Sequence, residues 1–183
     1  MKPQTAFPSA PVDPMEAWRA FNRLIADKED TRHVFDFIRA VNGRSGEPHF
    51  RRFLQSEYGR AVIADRSKLE RALTDRAALE AMGPGTFAAA YLEYLDREGL
   101  DPLGVREAAI ASAPDIYETL RRDYPEFEAM TFNGQLTHDL FHVLTGYGRD
   151  ALGEALLLVF TGVQNGSRGV RLLGRMAGLR IRW

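Results

Sequence analysis

The sequence predicts an all-α protein, a single-domain helical bundle, on three observations. Apolar residues recur at three- and four-residue spacing along most of the chain. Alternating apolar and polar runs bounded by turn residues, the mark of strands, are missing. Breaks rich in glycine and proline separate the periodic segments. A chain of 183 residues with 45% hydrophobic content has the size and the apolar material for one domain with its own core.

The elements follow in order. Residues 1–14 hold Pro3, Pro8, Pro11 and Pro14 and read as a flexible arm ahead of a helical domain over 15–183. Ala17, Trp18, Phe21, Leu24 and Ile25 mark one face of a first helix. Asp30 or Thr31 can cap a second, which carries Val34, Phe35, Ile38 and Val41 and ends at Asn42-Gly43. Pro48 suits a first turn and opens a helix with Phe50, Phe53 and Leu54 that should stop near Gly59. Further helices are expected over 67–82, 86–98, 115–130, 133–145, 149–164 and from 170 to the end. Gly83-Pro84-Gly85, Gly99, Pro102, Pro114 and Gly146-Tyr147-Gly148 divide them.

Composition excludes several chemistries. With no cysteine there are no disulfides, thiolate metal sites, iron–sulfur clusters or cysteine nucleophiles, so any metal must be held by nitrogen and oxygen. The net charge of -1 hides an asymmetry: every acidic residue lies at or before Glu154. Up to that point 19 basic residues face 25 acidic ones; beyond it stand only Arg168, Arg171, Arg175, Arg180 and Arg182. No stretch approaches the roughly 20 apolar residues that span a bilayer, and the N-terminus resembles neither a secretory signal nor a transit peptide. An intracellular, bacterial protein is expected.

The informative segment is His138-Asp139-Leu140-Phe141-His142. Two histidines four apart lie on one helical face and can converge on one ion, while Asp139 can reach the edge of the same site or orient a ligand. On an unbroken helix Glu154 would stand about 18 Å from His142, at roughly 1.5 Å per residue. Gly146 and Gly148 supply a break and Asp150 a cap, so an αα-hairpin can bring all four side chains together. Two imidazoles with one or two carboxylates suit Zn²⁺, with Fe²⁺ and Mn²⁺ as alternatives; Mg²⁺ would want more oxygen. The plainer alternative makes these histidines ordinary polar residues on a packed helix. A metalloprotease would need Glu in place of Asp139. A His-Asp phosphohydrolase would need further ligands, and only His33 and His49 remain.

At these residues the chain resembles the Coq4 family of ubiquinone biosynthesis, whose signature is His-Asp-x-x-His, eleven residues, then Glu. His138, Asp139, His142 and Glu154 match it position by position. The flanks 142–146 and 152–154, Asp30-Thr31, Gly59-Arg60 and the stretch 85–91 are also similar, so the likeness extends over most of residues 20–165. Two departures stand out. Gln135 sits three residues before the first histidine, where the family often has arginine. The chain also ends soon after the motif, at Trp183, as a short relative would or a chain lacking a C-terminal segment.

The resemblance implies a metal-binding, lipid-binding protein of the ubiquinone pathway. It would hold a polyprenylated aromatic precursor or another isoprenoid lipid, associate with other ubiquinone biosynthesis proteins, and act at ring carbon C1 by oxidative removal of a carboxylate and hydroxylation. In that reading His138, Asp139, His142 and Glu154 are both the metal ligands and the catalytic set. The alternative is a non-catalytic lipid-binding organiser with a structural metal.

Beyond the motif, Arg168, Arg171, Arg175 and Arg182 share about 60° of arc at 100° per residue, with Leu172, Leu173, Met176, Leu179 and Trp183 beside them. Such a basic amphipathic helix over 168–183 predicts membrane or anion contact. The expected location is therefore cytoplasmic and peripheral on the inner membrane, or on the matrix face if mitochondrial. A homodimer is compatible with this reading, and no nucleic-acid motif accompanies the arginines.

Overall fold

Capping side chains and prolines set the helix boundaries. The computed structural model describes residues 6–27 and 32–181, and every regular element among them is helical. α1 (Pro14–Ala26) starts with proline in its first turn and with the Asp13 carboxylate accepting the Glu16 N–H. α2 (Arg32–Asn42) follows; its expected caps, Asp30 and Thr31, lie outside the described residues. Pro48 stands in the first turn of α3 (Glu47–Gln55), as its position predicts.

The expected stop near Gly59 falls earlier. Ser56 closes α3 and caps α4 (Glu57–Ala64), accepting the Gly59 N–H at 2.9 Å. Gly59 lies inside α4, where a Cβ would stand 1.9 Å from the Phe53 carbonyl oxygen, so its role is close packing. The helix expected over 67–82 is two, α5 (Lys68–Thr74) and α6 (Arg76–Ala81), because the Asp75 carboxylate accepts the Ala78 N–H and starts a new helix. α7 (Phe87–Glu98) runs from its Thr86 cap to a left-handed Gly99, as expected.

α8 (Gly104–Ser112) occupies a stretch where no helix was expected. The helix expected over 115–130 is α9 (Pro114–Asp123) and the first part of α10 (Pro125–Leu136). The break lies at Tyr124-Pro125 because proline donates no hydrogen bond and keeps the residue before it out of the helical region. α10 passes through the expected boundary at 130–133, and Thr137 joins it to α11 (His138–Thr145). α12 (Ala151–Asn165) begins at the Asp150 cap, and α13 (Arg168–Ile181) ends the described chain.

Two buried apolar clusters organise these helices. One joins α1, α2 and α13 through Ala20, Phe21, Phe37, Val41 and Leu173. The other joins α5, α6, α7 and α10 through Leu73, Leu79, Tyr91, Leu95 and Phe132, with Leu140 and Val143 of α11 against it. Trp18, assigned to a buried face by periodicity, is 59% exposed, and Ala17 and Ala20 make the contact instead. In the arm, the Phe7 ring meets the Phe127 ring edge-on at 5.1 Å.

α13 packs chiefly on α12 and α2. Glycines allow the close approach: a Cβ on Gly174 would stand 2.7 Å from the Ala155 carbonyl oxygen, and one on Gly169 2.8 Å from that of Ile38. The apolar side of this basic helix is therefore partly buried at Val170 and Leu173, while Leu172 and Leu179 stay exposed. No helix among the described residues is long and apolar enough to cross a membrane.

Candidate metal centre

The site is built from one helix, one turn and the start of the next helix. α11 sets His138 and His142 one turn apart, and their Nε2 atoms stand 3.3 Å from each other. Gly146, at a φ of 72°, ends α11 in the left-handed region, and the chain turns back to α12. Asp150 caps α12 by accepting the Leu152 and Gly153 N–H groups. Gly153 lets the turn lie across the first turn of α12, since a Cβ there would stand 2.0 Å from the Gly148 carbonyl oxygen. Glu154 thereby reaches both histidines, Oε1 at 3.4 Å from His142 Nε2 and Oε2 at 3.9 Å from His138 Nε2.

The turn also fixes the state of His142. Its Nδ1 lies 2.9 Å from the Tyr147 carbonyl oxygen, which can only accept, so Nδ1 carries the proton and donates it. In the neutral ring Nε2 then presents a lone pair towards His138 and Glu154. Two imidazole nitrogens and a carboxylate thus converge, a donor set that could hold a cation. Burial alone would push the His142 pKa down, but Glu154 and the Tyr147 carbonyl outweigh it and hold the value above that of ordinary histidine.

The separations fit a small ion. Ligands about 2.0–2.1 Å from a tetrahedral Zn²⁺ stand roughly 3.3 Å apart, and the 3.3 and 3.4 Å distances here match that edge. Asp139 belongs to the group: its carboxylate and the two imidazoles offer ligand atoms within 4.8 Å of one another. Asp139 is buried, and burial raises its pKa against the pull of His138, His142 and Arg149. Burial likewise pushes His138 down, opposed by Glu154 and Asp139. The donor set and spacing fit a divalent metal, with His138 and Glu154 on the solvent side, their side chains 27% and 36% exposed, and His142 on the closed side at 1%.

Several contributors escape a reading of the motif alone. Tyr94 of α7 stacks on the His142 ring at 5.6 Å and 19°. The hydroxyls of Tyr91 and Tyr94 are buried and accept or donate no hydrogen bond; each such group costs about 1–3 kcal/mol. Burial, then Asp139, pushes the Tyr91 phenol up to about 12 and Tyr94 higher still. Arg149, exposed on the turn, adds a positive charge felt by His138 and Asp139. Two i, i+3 tyrosines within an apolar run were the available signal for the first pair.

The expected basic set is less uniform. Arg168 and Arg175 are exposed, the Arg171 stem passes over Gly162, and Arg182 and Trp183 lie outside the described residues. Two surface hollows, of about 720 and 410 Å³, are lined by none of the four motif residues.

A family model described as coenzyme Q (ubiquinone) biosynthesis protein Coq4 matches residues 25–110. That segment contains Tyr91 and Tyr94 and ends before His138, so the assignment of the motif rests on the residues themselves. Ubiquinone biosynthesis protein COQ4 homolog 2, mitochondrial, of Culex quinquefasciatus is 28% identical over 123 residues, 65% of this chain and 50% of that protein. Homolog 1 of the same organism is 28% identical over 123 residues and 42% of its length. Ubiquinone biosynthesis protein coq4, mitochondrial, of Botryotinia fuckeliana is 27% identical over 130 residues, 68% of this chain and 42% of that protein. The chain thus spans half or less of the length of these curated relatives. No solved structure matches. The chain is thus similar to the Coq4 family over residues 25–110 and to these relatives over about two thirds of its length.

Proposed function

We propose that this chain acts in ubiquinone biosynthesis by holding a divalent metal through His138, His142 and Glu154, with Asp139 at the edge, beside a polyprenylated aromatic precursor on which it acts at ring carbon C1. The observation that carries this reading is the convergence of two imidazole nitrogens and a carboxylate oxygen at 3.3, 3.4 and 3.9 Å. Zinc is the first choice of ion for this donor set; iron or manganese would add redox chemistry.

The bound ion would polarise a substrate carboxylate or phenolate. Tyr147 holds His142 in the tautomer that keeps Nε2 available, and Glu154 lies where the site opens to solvent. Asp139, buried at the edge of the cluster, would take or return a proton in this reading. Oxidative decarboxylation with hydroxylation places one oxygen atom of O₂ on the ring and the other in water. It releases the carboxylate as CO₂ and draws two electrons from an external donor. Leu144, Leu152 and Leu156, exposed apolar residues around the turn, suit the prenyl chain. Arg168, Arg171, Arg175 and Arg182 with Trp183 suit a membrane surface, which would make the protein peripheral.

A second reading has one favouring observation. Four candidate ligands would close a tetrahedral ion completely, as structural sites do, leaving a lipid-binding organiser without catalysis. The experiment is elemental analysis of the purified protein, followed by incubation of the metal-loaded chain with a carboxyl-labelled prenylated 4-hydroxybenzoate, O₂ and a reductant. Labelled CO₂ from the wild type and none from His138→Ala supports catalysis. Metal bound without turnover favours the organiser, and no metal in either protein removes both readings.

A further inference from the structure

Tyr91 and Tyr94 sit three apart on one face of α7, which packs directly against α11. They are 1% and 5% exposed, and neither hydroxyl has a hydrogen-bond partner. Phenylalanine would fill the same volume without burying an unpaired polar group, so core packing does not account for the oxygens. Tyr94 lies against the cluster itself, and Tyr91 stands one turn before it on the same helix. The Tyr94 ring lies parallel to His142, and among charged groups Asp139 acts most strongly on both phenols. Two buried, unpartnered O–H groups therefore sit on the helix that packs against α11, one of them on a ring stacked against His142.

We propose that the hydroxyls of Tyr91 and Tyr94 donate hydrogen bonds to an oxygen atom of the molecule bound at the His138/Asp139/His142/Glu154 site, so that the site selects a ligand with a carboxylate or phenolate head. The inference rests on the reading of that cluster as a ligand site and names the class of ligand and the residues that receive it. Asp139 and Glu154 would repel an anionic head; the bound cation and the two phenols offset that repulsion from opposite sides. An apolar head would leave both hydroxyls unpaired and be rejected.

The test uses the full chain, the Tyr91→Phe and Tyr94→Phe variants, zinc, and 4-hydroxybenzoate as probe. Without zinc or probe, each variant should melt about 2–4 °C above the wild type, because an unpaired buried hydroxyl is gone. In calorimetric titration of the zinc-loaded chain each variant should bind 4-hydroxybenzoate roughly tenfold more weakly, with zinc affinity unchanged. A lower melting point would mean that the hydroxyls are already satisfied by enclosed water, and would overturn the proposal. So would unchanged probe affinity, or a wild type that does not bind the probe. Failure of the metal reading looks different: the wild type takes up no zinc, yet the tyrosine variants still weaken the probe.

Discussion

Two buried polar clusters stand side by side on α10 and α11, and they are completed differently. In the first, Arg106 of α8 pairs with Glu128 at 2.7 Å and donates to the Gln135 side-chain oxygen at 3.3 Å. Gln135 donates in turn to the Tyr117 hydroxyl at 2.7 Å, and the guanidinium lies 3.6 Å over the Phe132 ring. Donors there meet acceptors within the protein. In the second, His138, His142 and Glu154 converge without a fixed cationic partner, and the hydroxyls of Tyr91 and Tyr94 have no hydrogen-bond partner. A buried polar network that closes on itself holds helices together, whereas one left open by several atoms has the capacity to take up a cation or ligand.

The largest expected effect tests the closed cluster. Glu128→Ala leaves Arg106, 13% exposed, without its carboxylate; breaking such a buried pair costs about 3–5 kcal/mol. Urea denaturation should show that loss while zinc affinity per folded molecule stays as in the wild type. If zinc binding collapses with stability intact, the two clusters are one, and the contrast is false.

The next effect tests the open cluster. Zinc at a hundred times its dissociation constant should stabilise the wild type by about 2.7 kcal/mol. His138→Ala should lose that gain and keep its metal-free stability within about 1 kcal/mol, because the side chain is partly exposed. Thermal melts with zinc and with chelator separate these outcomes, and an equal zinc shift in the variant would count against the centre.

The contrast was only half legible in the sequence. His138 and His142 share a face by spacing alone, and Glu154 could be placed because Gly146, Gly148 and Asp150 announce a turn and a cap. The Tyr147 carbonyl could not be anticipated, since a backbone oxygen carries no signature. Nor could Tyr94, whose ring reaches His142 through the packing of α7 on α11 across a long separation in sequence. Gln135, a departure from the family pattern, proves to belong to the Arg106 cluster, again through a contact from a distant helix. The breaks at Asp75 and Pro125 were local and were there to be read; apolar periodicity on both sides masked them.

A smaller effect concerns the turn that joins the two halves of the open cluster. Gly153→Ala drives a methyl group into the Gly148 carbonyl, and relief requires the turn to move. Overpacking of this kind costs about 1–3 kcal/mol. Because the turn carries Tyr147 and precedes Glu154, zinc affinity should fall more than stability does. Gly174→Ala, also crowded, with its nearest atom at 2.7 Å, but on the α12–α13 contact, should lower stability and leave zinc affinity alone. Parallel behaviour of the two variants would remove the turn from the site.

The smallest effect has the opposite sign. Asp139 is buried and, among the described residues, no donor hydrogen-bonds its carboxylate, so in the metal-free protein the charge is a burden. Burial pushes its pKa up, only partly opposed by His138, His142 and Arg149. A carboxyl raised on folding contributes stability below its unfolded value and loses that contribution as pH rises through its folded value. Asparagine keeps the outline and does not titrate. In chelator, Asp139→Asn should therefore be more stable than the wild type at pH 7, by about 1 kcal/mol, with the difference shrinking towards pH 4. With zinc present the order should reverse, because the anion that destabilises the empty site helps hold the cation. Urea denaturation at the two pH values, with and without zinc, reads all four states. A variant less stable than the wild type in chelator at pH 7 would mean that the Asp139 charge is already compensated inside the protein, and the open cluster would then be closed after all.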